Sequence, residues 1–223
     1  MKLSPSSTIG RKLVMAVTGI LLIGFLVEHL LGNLLLFDND HQKYNEYAHY
    51  LISNPFIYIA ELILLLLFVY HAVEAIVIYL GERNVRPVAY GQSEALGKRT
   101  VYSVTMIWTG LILLVFLVIH IATFKYGADY HVHNPLGQDT GVRDLYKLVA
   151  EKFRNPLYSG FYVLCMLCLG FHMGHALQSA VRTLGITHRG WLARIKLLSL
   201  AIALVFTIGF GSMPIYFFLK GGH

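Results

Sequence analysis

The sequence predicts an all-α membrane protein of five transmembrane helices, the first four forming a four-helix bundle with an internal repeat about a pseudo-two-fold axis. Three observations lead there. Of 223 residues, 56% are hydrophobic and only 13% charged, which is too apolar for an ordinary soluble domain. Five segments, at about 12–37, 55–82, 100–125, 156–181 and 195–219, reach the roughly 20 apolar residues that a bilayer span requires. Little is left over for a separate catalytic domain, so residues 1–223 read as a single integral membrane domain. The third observation is a repeat. TGILLIGFLVEH (Thr18 to His29) and TGLILLVFLVIH (Thr109 to His120) agree at seven of twelve positions, and Asn54-Pro55 and Asn155-Pro156 each precede a histidine, His71 and His172, that lies seventeen residues after the asparagine.

The elements follow in order. MKLSPSSTIGRK has the charge of a secretory signal, but the apolar run behind it is too long, lacks a small-residue cleavage site and contains Glu28-His29, so it reads as an uncleaved first span. Residues 38–53 read as a loop on the far side, with Tyr44, Glu46, Tyr47 and His49 near the membrane surface. Asn54-Pro55 opens the second span, proline suiting a first helical turn, and that span carries Glu61, His71 and Glu74 back to a basic loop, Arg83 to Arg99. The third span runs out through Trp108 to His120. The longest loop, Tyr126 to Arg154, contains LYKLVAEKF, which suits a short surface helix. Asn155-Pro156 opens the fourth span, with His172 and His175. THRGWLARIK reads as loop, and the fifth span, which has no histidine, packs at the edge of the bundle.

The net charge of +6 does not indicate nucleic acid, because it is distributed by side. Eleven lysines and arginines fall in the loops that share a face with the N-terminus, against seven on the other face, where most loop carboxylates dilute them. The positive-inside rule puts the N-terminus in the cytoplasm and the C-terminus outside, and the basic face suits anionic lipid or a partner subunit. Cys165 and Cys168 form CMLC with no following histidine and no second pair, and read as packing residues.

Four histidines in apolar spans need a reason, since one such residue is usually a hydrogen-bonded or cavity-lining group. The first and third spans run the same way, so the repeat puts His29 and His120 at one depth near the outer face. His71 and His172, each about 25 Å along from an outer Asn-Pro, lie deeper. Each pair can clamp a flat macrocycle from both sides between facing helices. Two axial imidazoles without cysteine attachment describe haem b; two such haems would be offset by very roughly 10–15 Å. Zinc fits less well, since it wants about four ligands and each level offers two. His172 aligns with His71, and His175 with Glu74, which makes His172 the ligand. His175, Glu74, Ser179 and Arg182 are then candidates for the surroundings of the inner haem, Arg182 serving equally as an ordinary membrane-edge arginine. Gly19 and Gly110 recur in the repeat, and Gly170 and Gly174 flank His172; either haem or close helix packing accounts for them.

VEHLLGN, VYHAVEA, FLVIHI and GFHMGHALQSA resemble the histidine segments of the cytochrome b membrane anchor of succinate dehydrogenase and fumarate reductase, in its single-subunit, five-helix, two-haem form. The resemblance spans roughly Thr8 to Gly190; the doubled His172/His175 departs from the single histidine of many members. It implies the electron-transfer, quinone-reactive part of a succinate:quinone oxidoreductase, with no catalytic flavin of its own, in a bacterial cytoplasmic membrane. It further implies an iron–sulfur subunit docked on the cytoplasmic face, which in turn binds a flavoprotein. The inner haem, on His71 and His172, lies nearer the clusters, and a quinone, commonly menaquinone, reacts near the outer haem on His29 and His120. A quinone carbonyl needs a donor and a titratable neighbour, for which Glu28, Tyr44, Glu46 and His49 are candidates, with helix-interface or plain loop roles as the alternative. Glu61 and Glu74 are candidates for a proton route. Two rivals stand beside this reading: the cytochrome b subunit of a hydrogenase or formate dehydrogenase, and a non-haem proton-coupled transporter whose histidines line a path.

Overall fold

The computed structural model describes residues 7–84, 101–186 and 188–221. Lys2 and the basic segment with Arg86, Lys98 and Arg99 lie outside the described residues. Seven helices appear among those described: α1 (Thr8–Asn33), α2 (Gln42–Ser53), α3 (Ile57–Asn84), α4 (Val101–Phe124), α5 (Leu145–Arg154), α6 (Pro156–Thr183) and α7 (Arg189–Lys220). A hairpin of β1 (His131–His133) and β2 (Asp139–Arg143) precedes α5. The helices α1, α3, α4, α6 and α7 are long and apolar enough to cross a membrane, so the chain is an integral membrane protein of mostly helical structure.

Local chemistry explains the helix ends. Asn155 caps α6, its side-chain oxygen accepting from the N–H groups of Leu157 and Tyr158 at 2.9 and 3.1 Å, with Pro156 in the first turn. Asn54 does the same only for Phe56 N–H, at 3.0 Å, and α3 begins two residues later than the sequence suggests. His188 caps α7 by accepting from Gly190 N–H at 3.3 Å, so most of THRGWLARIK, expected as loop, is the first turns of that helix. Pro214 sits fully buried within α7. It cannot donate to the carbonyl four residues back, a loss that neighbouring helices make tolerable in a membrane.

The span helices pack as α1 against α3 and α6, α4 against α6 and α3, and α7 chiefly along α6. Gly170 makes the last approach close: a Cβ there would run into Thr207 Oγ1, which is held by the Ala203 carbonyl at 2.8 Å. Outward faces of the spans are rich in exposed leucine, isoleucine and valine, as lipid contact requires.

One end carries a cap of α2, the hairpin and α5. The segment 38–53 was expected as loop and is instead mostly helix, because Tyr44 and Asn45 turn inward while Lys43, Glu46 and His49 stay exposed. The expected LYKLVAEKF helix is α5, capped by Asp144, which accepts from Lys147 N–H at 3.0 Å. Its buried face, Tyr146, Leu148, Val149 and Phe153, joins Phe217 of α7 in the apolar core. Arg143 at the end of β2 donates to the carbonyls of Phe124 and Lys125 at 3.1 and 3.2 Å. The hairpin thereby closes the orphan carbonyls at the end of α4.

Asn45 ties the cap together. It is 4% exposed, its Nδ2 donates to Asp144 Oδ1 at 2.9 Å, and its Oδ1 accepts from Tyr146 N–H at 2.9 Å. Asn45→Ala removes both bonds and leaves buried groups unmatched, at a cost of about 2–3 kcal/mol. A thermal melt in detergent is expected to fall by roughly 5–10 °C; an unchanged melt would assign the cap's stability to its apolar face alone.

Candidate functional site

The four repeat histidines come together as two levels. His29 of α1 and His120 of α4 have ring centroids 5.8 Å apart at an interplanar angle of 83°. Phe25 stacks on His29 at 5.3 Å, Phe210 of α7 lies 5.7 Å from it, and Phe116 lies 5.5 Å from His120. The pair thus sits in an apolar, aromatic surround. His120 Nδ1 is 3.4 Å from Tyr162 Oη, and Tyr158 donates its hydroxyl to Tyr162 at 3.0 Å. Asn33 closes the other side, with Nδ2 3.5 Å from both ring nitrogens of His29 and 2.8 Å from its carbonyl.

At the other level stand His71 of α3 and His172 of α6. His71 Nδ1 is 3.1 Å from Thr18 Oγ1, and His172 Nδ1 is 3.2 Å from Thr109 Oγ1. The glycines that follow those threonines explain the approach. A Cβ on Gly19 would sit 3.3 Å from His71 Cε1, and one on Gly110 would sit 3.5 Å from His172 Cε1. Each Thr-Gly step therefore receives the histidine ring of the neighbouring helix. The levels are separated along α1 by the eleven residues from Thr18 to His29, about 16 Å of helix rise.

The donor set suits haem iron. Two imidazoles on opposite sides of one metal ion put ring centroids about 6 Å apart, given metal–nitrogen bonds of about 2 Å, and His29 and His120 are 5.8 Å apart. No group of three or more His, Cys, Asp or Glu that could hold a metal ion occurs among the described residues.

The other sequence candidates distribute as follows. Glu74 is buried and paired with Arg11 of α1, both carboxylate oxygens lying 3.0–3.2 Å from Nη1. Ser179 and Arg182 are exposed near the end of α6, and His175 is half-buried. Glu61 is paired with Lys125 at 2.5 Å near the capped end, so both carboxylates read as a proton route are held in ion pairs. Cys165 is fully buried and unbonded to Cys168.

Of the four candidates for a quinone contact, Glu28 lines a cavity. That cavity, about 470 Å³ and largely open, is bounded by α1 from Gly24 to Gly32, by Leu35 just beyond its end, and by Tyr47 of α2. Tyr47 donates its hydroxyl to Glu28 Oε1 at 3.0 Å. Gly32 makes room for the Tyr47 ring: a Cβ would lie 2.5 Å from Cε1. Burial and the carboxylate beside it raise the Tyr47 phenol above its ordinary pKa. Tyr44 instead points into the cap, donating to Asn33 Oδ1 at 3.2 Å, and burial raises its pKa. Glu46 is exposed, and His49 is exposed and bonded to Ser53 at 3.3 Å. From sequence Tyr47 was placed near the membrane surface but not among the quinone candidates. Its signal was faint: an i, i+3 spacing with Tyr44 in a segment read as loop.

The chain is 27% identical over 172 residues to the succinate dehydrogenase cytochrome b558 subunit of Bacillus subtilis (strain 168), covering 76% of each chain. No protein-family model matches the chain, and no solved structure matches it. The similarity supports the cytochrome b anchor family that the histidine motifs resemble.

Proposed function

We propose that this chain is the dihaem cytochrome b anchor of a succinate:quinone oxidoreductase, carrying electrons between a cytoplasmic iron–sulfur subunit and quinone in the membrane. The observation that carries the reading is the pairing of histidines across helices: His29 with His120 5.8 Å apart, and His71 with His172 on equivalent Thr-Gly steps. The relative's name supports the class of complex. On this reading α1, α3, α4 and α6 form the haem-holding bundle, and the paired contacts support its two-fold repeat.

His29 and His120 would hold the outer haem, and His71 and His172 the inner one. Held there by two imidazoles, haem would supply one-electron transfer. The residues do the rest. Phe25, Phe116 and Phe210 exclude water from the outer pair. Rigid spans fix the levels about 16 Å apart, and the Glu28–Tyr47 pair faces the cavity where a quinone would exchange protons. The basic face, including Arg11 and Arg194, suits the iron–sulfur partner, with the flavoprotein beyond it and a quinone such as menaquinone as the electron partner in the membrane.

The test is haem stoichiometry by pyridine haemochrome on the purified complex, with identification of co-purifying subunits. Two b haems per chain and an iron–sulfur protein with a flavoprotein are expected. A colourless folded chain would favour the transporter reading, and a hydrogenase or formate dehydrogenase partner would move the haem protein to another complex.

A further inference from the structure

The Thr-Gly steps that open the repeat are buried polar positions in apolar spans, Thr18 at 5% and Thr109 at 9% exposure. Their hydroxyls are already committed as donors. Thr18 Oγ1 lies 2.9 Å from the Val14 carbonyl and 3.2 Å from that of Met15; Thr109 Oγ1 lies 3.1 Å from that of Thr105 and 3.0 Å from that of Met106. Carbonyl oxygens only accept, so each hydroxyl proton is spent on its own helix. What each threonine oxygen offers to the facing ring is a lone pair. At 3.1 and 3.2 Å the partner nitrogen must therefore be the donor, which makes it Nδ1–H in both His71 and His172. With Nδ1 protonated, the neutral imidazole has its free lone pair on Nε2, the tautomer that binds a metal there.

We propose that Thr18 and Thr109 are positioning residues for the inner haem: each accepts the Nδ1–H of a histidine on the neighbouring helix and so presents Nε2 of His71 and His172 to the iron. The inference rests on the ligand reading given above. It accounts for a feature the haem reading alone leaves idle: the threonine of each TG…H segment serves the histidine of the following helix, not the one that ends its own segment. The outer level is built differently. His120 Nδ1 faces a tyrosine at 3.4 Å, and His29 faces a side-chain amide.

The experiment compares Thr18→Val and Thr109→Val, which keep the shape and lose the acceptor, with Thr18→Ser and Thr109→Ser, which keep it. All are measured in the purified complex beside His71→Ala and His172→Ala. The readouts are haem content after controlled haem depletion and the electron paramagnetic resonance signals of the two low-spin haems. Each valine variant is expected to hold the inner haem roughly tenfold more weakly and to shift its low-spin signal. The outer haem stays and reports an intact fold, and the serine variants match the parent. Valine variants with unchanged occupancy and signal overturn the inference, as do serine variants that behave like valine, or loss of both haems together. If His71→Ala and His172→Ala keep two haems, the ligand reading fails instead, whatever the threonine variants do.

Discussion

His29→Ala, His71→Ala, His120→Ala and His172→Ala are each expected to lower the haem content from two per chain toward one, while His175→Ala keeps both. The reasoning is geometric. Each level offers two imidazoles on different helices, and the 5.8 Å spacing of His29 and His120 matches the reach of one iron between them. Removing one ring halves the ligand set and opens a hole in a packed aromatic site, so the loss should be near complete at that level. His175 is three residues beyond His172, about 4.5 Å further along α6, and half-buried, which sets it off the level of the His71–His172 pair. The readout is pyridine haemochrome per chain with a reduced-minus-oxidised spectrum. His29→Ala and His120→Ala should remove the same spectral component, and His71→Ala and His172→Ala the other. If the variants grouped by helix neighbours instead, with His29 alongside His71, the pairing would be wrong even though haem is bound.

How much of this could be read from the sequence depends on what fixes each feature. The spans are set by hydropathy over some twenty residues, which needs no partner, so five were legible and their ends came out within a few residues except at α7. Its start was hidden by Arg189, Arg194 and Lys196, which look like loop but sit on the turns of helix that emerge from the apolar region. The meeting of His29 and His120 was legible because equal spacing from Thr-Gly becomes equal height on helices that run the same way. The role of the threonines was not legible, although depth already placed Thr18 near His71. Knowing which ring nitrogen a hydroxyl meets requires the rotation of α1 about its axis, and two similar faces of an apolar helix do not declare it. In the cap α5 was legible and α2 was not, for a related reason. A short amphipathic helix such as α2 depends on what Asn45 binds, and in sequence Asp144 and Tyr146 are about a hundred residues away. Glu74 shows the limit in charge. Its repeat partner His175 suggested a place at the haem edge, but Arg11, on another helix, claims the carboxylate.

Glu28→Gln is expected to reduce quinone-linked turnover by about a hundredfold, and Tyr47→Phe by about tenfold, with both haems retained. The cavity beside them is lined by α1 and Tyr47 of α2, and Glu28 is next in sequence to His29, so a quinone head group in it would meet the pair close to the outer level. Quinone reduction takes up protons as well as electrons, and a carboxylate with a phenol donor at 3.0 Å is suited to hand them on. Glutamine keeps the size of Glu28 and a hydrogen-bond acceptor for Tyr47, but it cannot carry a proton, which is why its effect should be the larger. Phenylalanine removes only the donor that orients the carboxylate. Because burial and Glu28 raise the Tyr47 pKa, the phenol stays protonated from about pH 6 to about pH 9. The Tyr47→Phe factor should therefore be the same across that range, and a factor that grew with pH would mean the phenol itself ionises during turnover. The assay pairs succinate-to-quinone activity with succinate-to-dye activity, which bypasses the membrane subunit. Dye reduction and haem spectra should match the parent in both variants. Parent-like quinone turnover in both would place the quinone contact elsewhere on the outer level, away from α2.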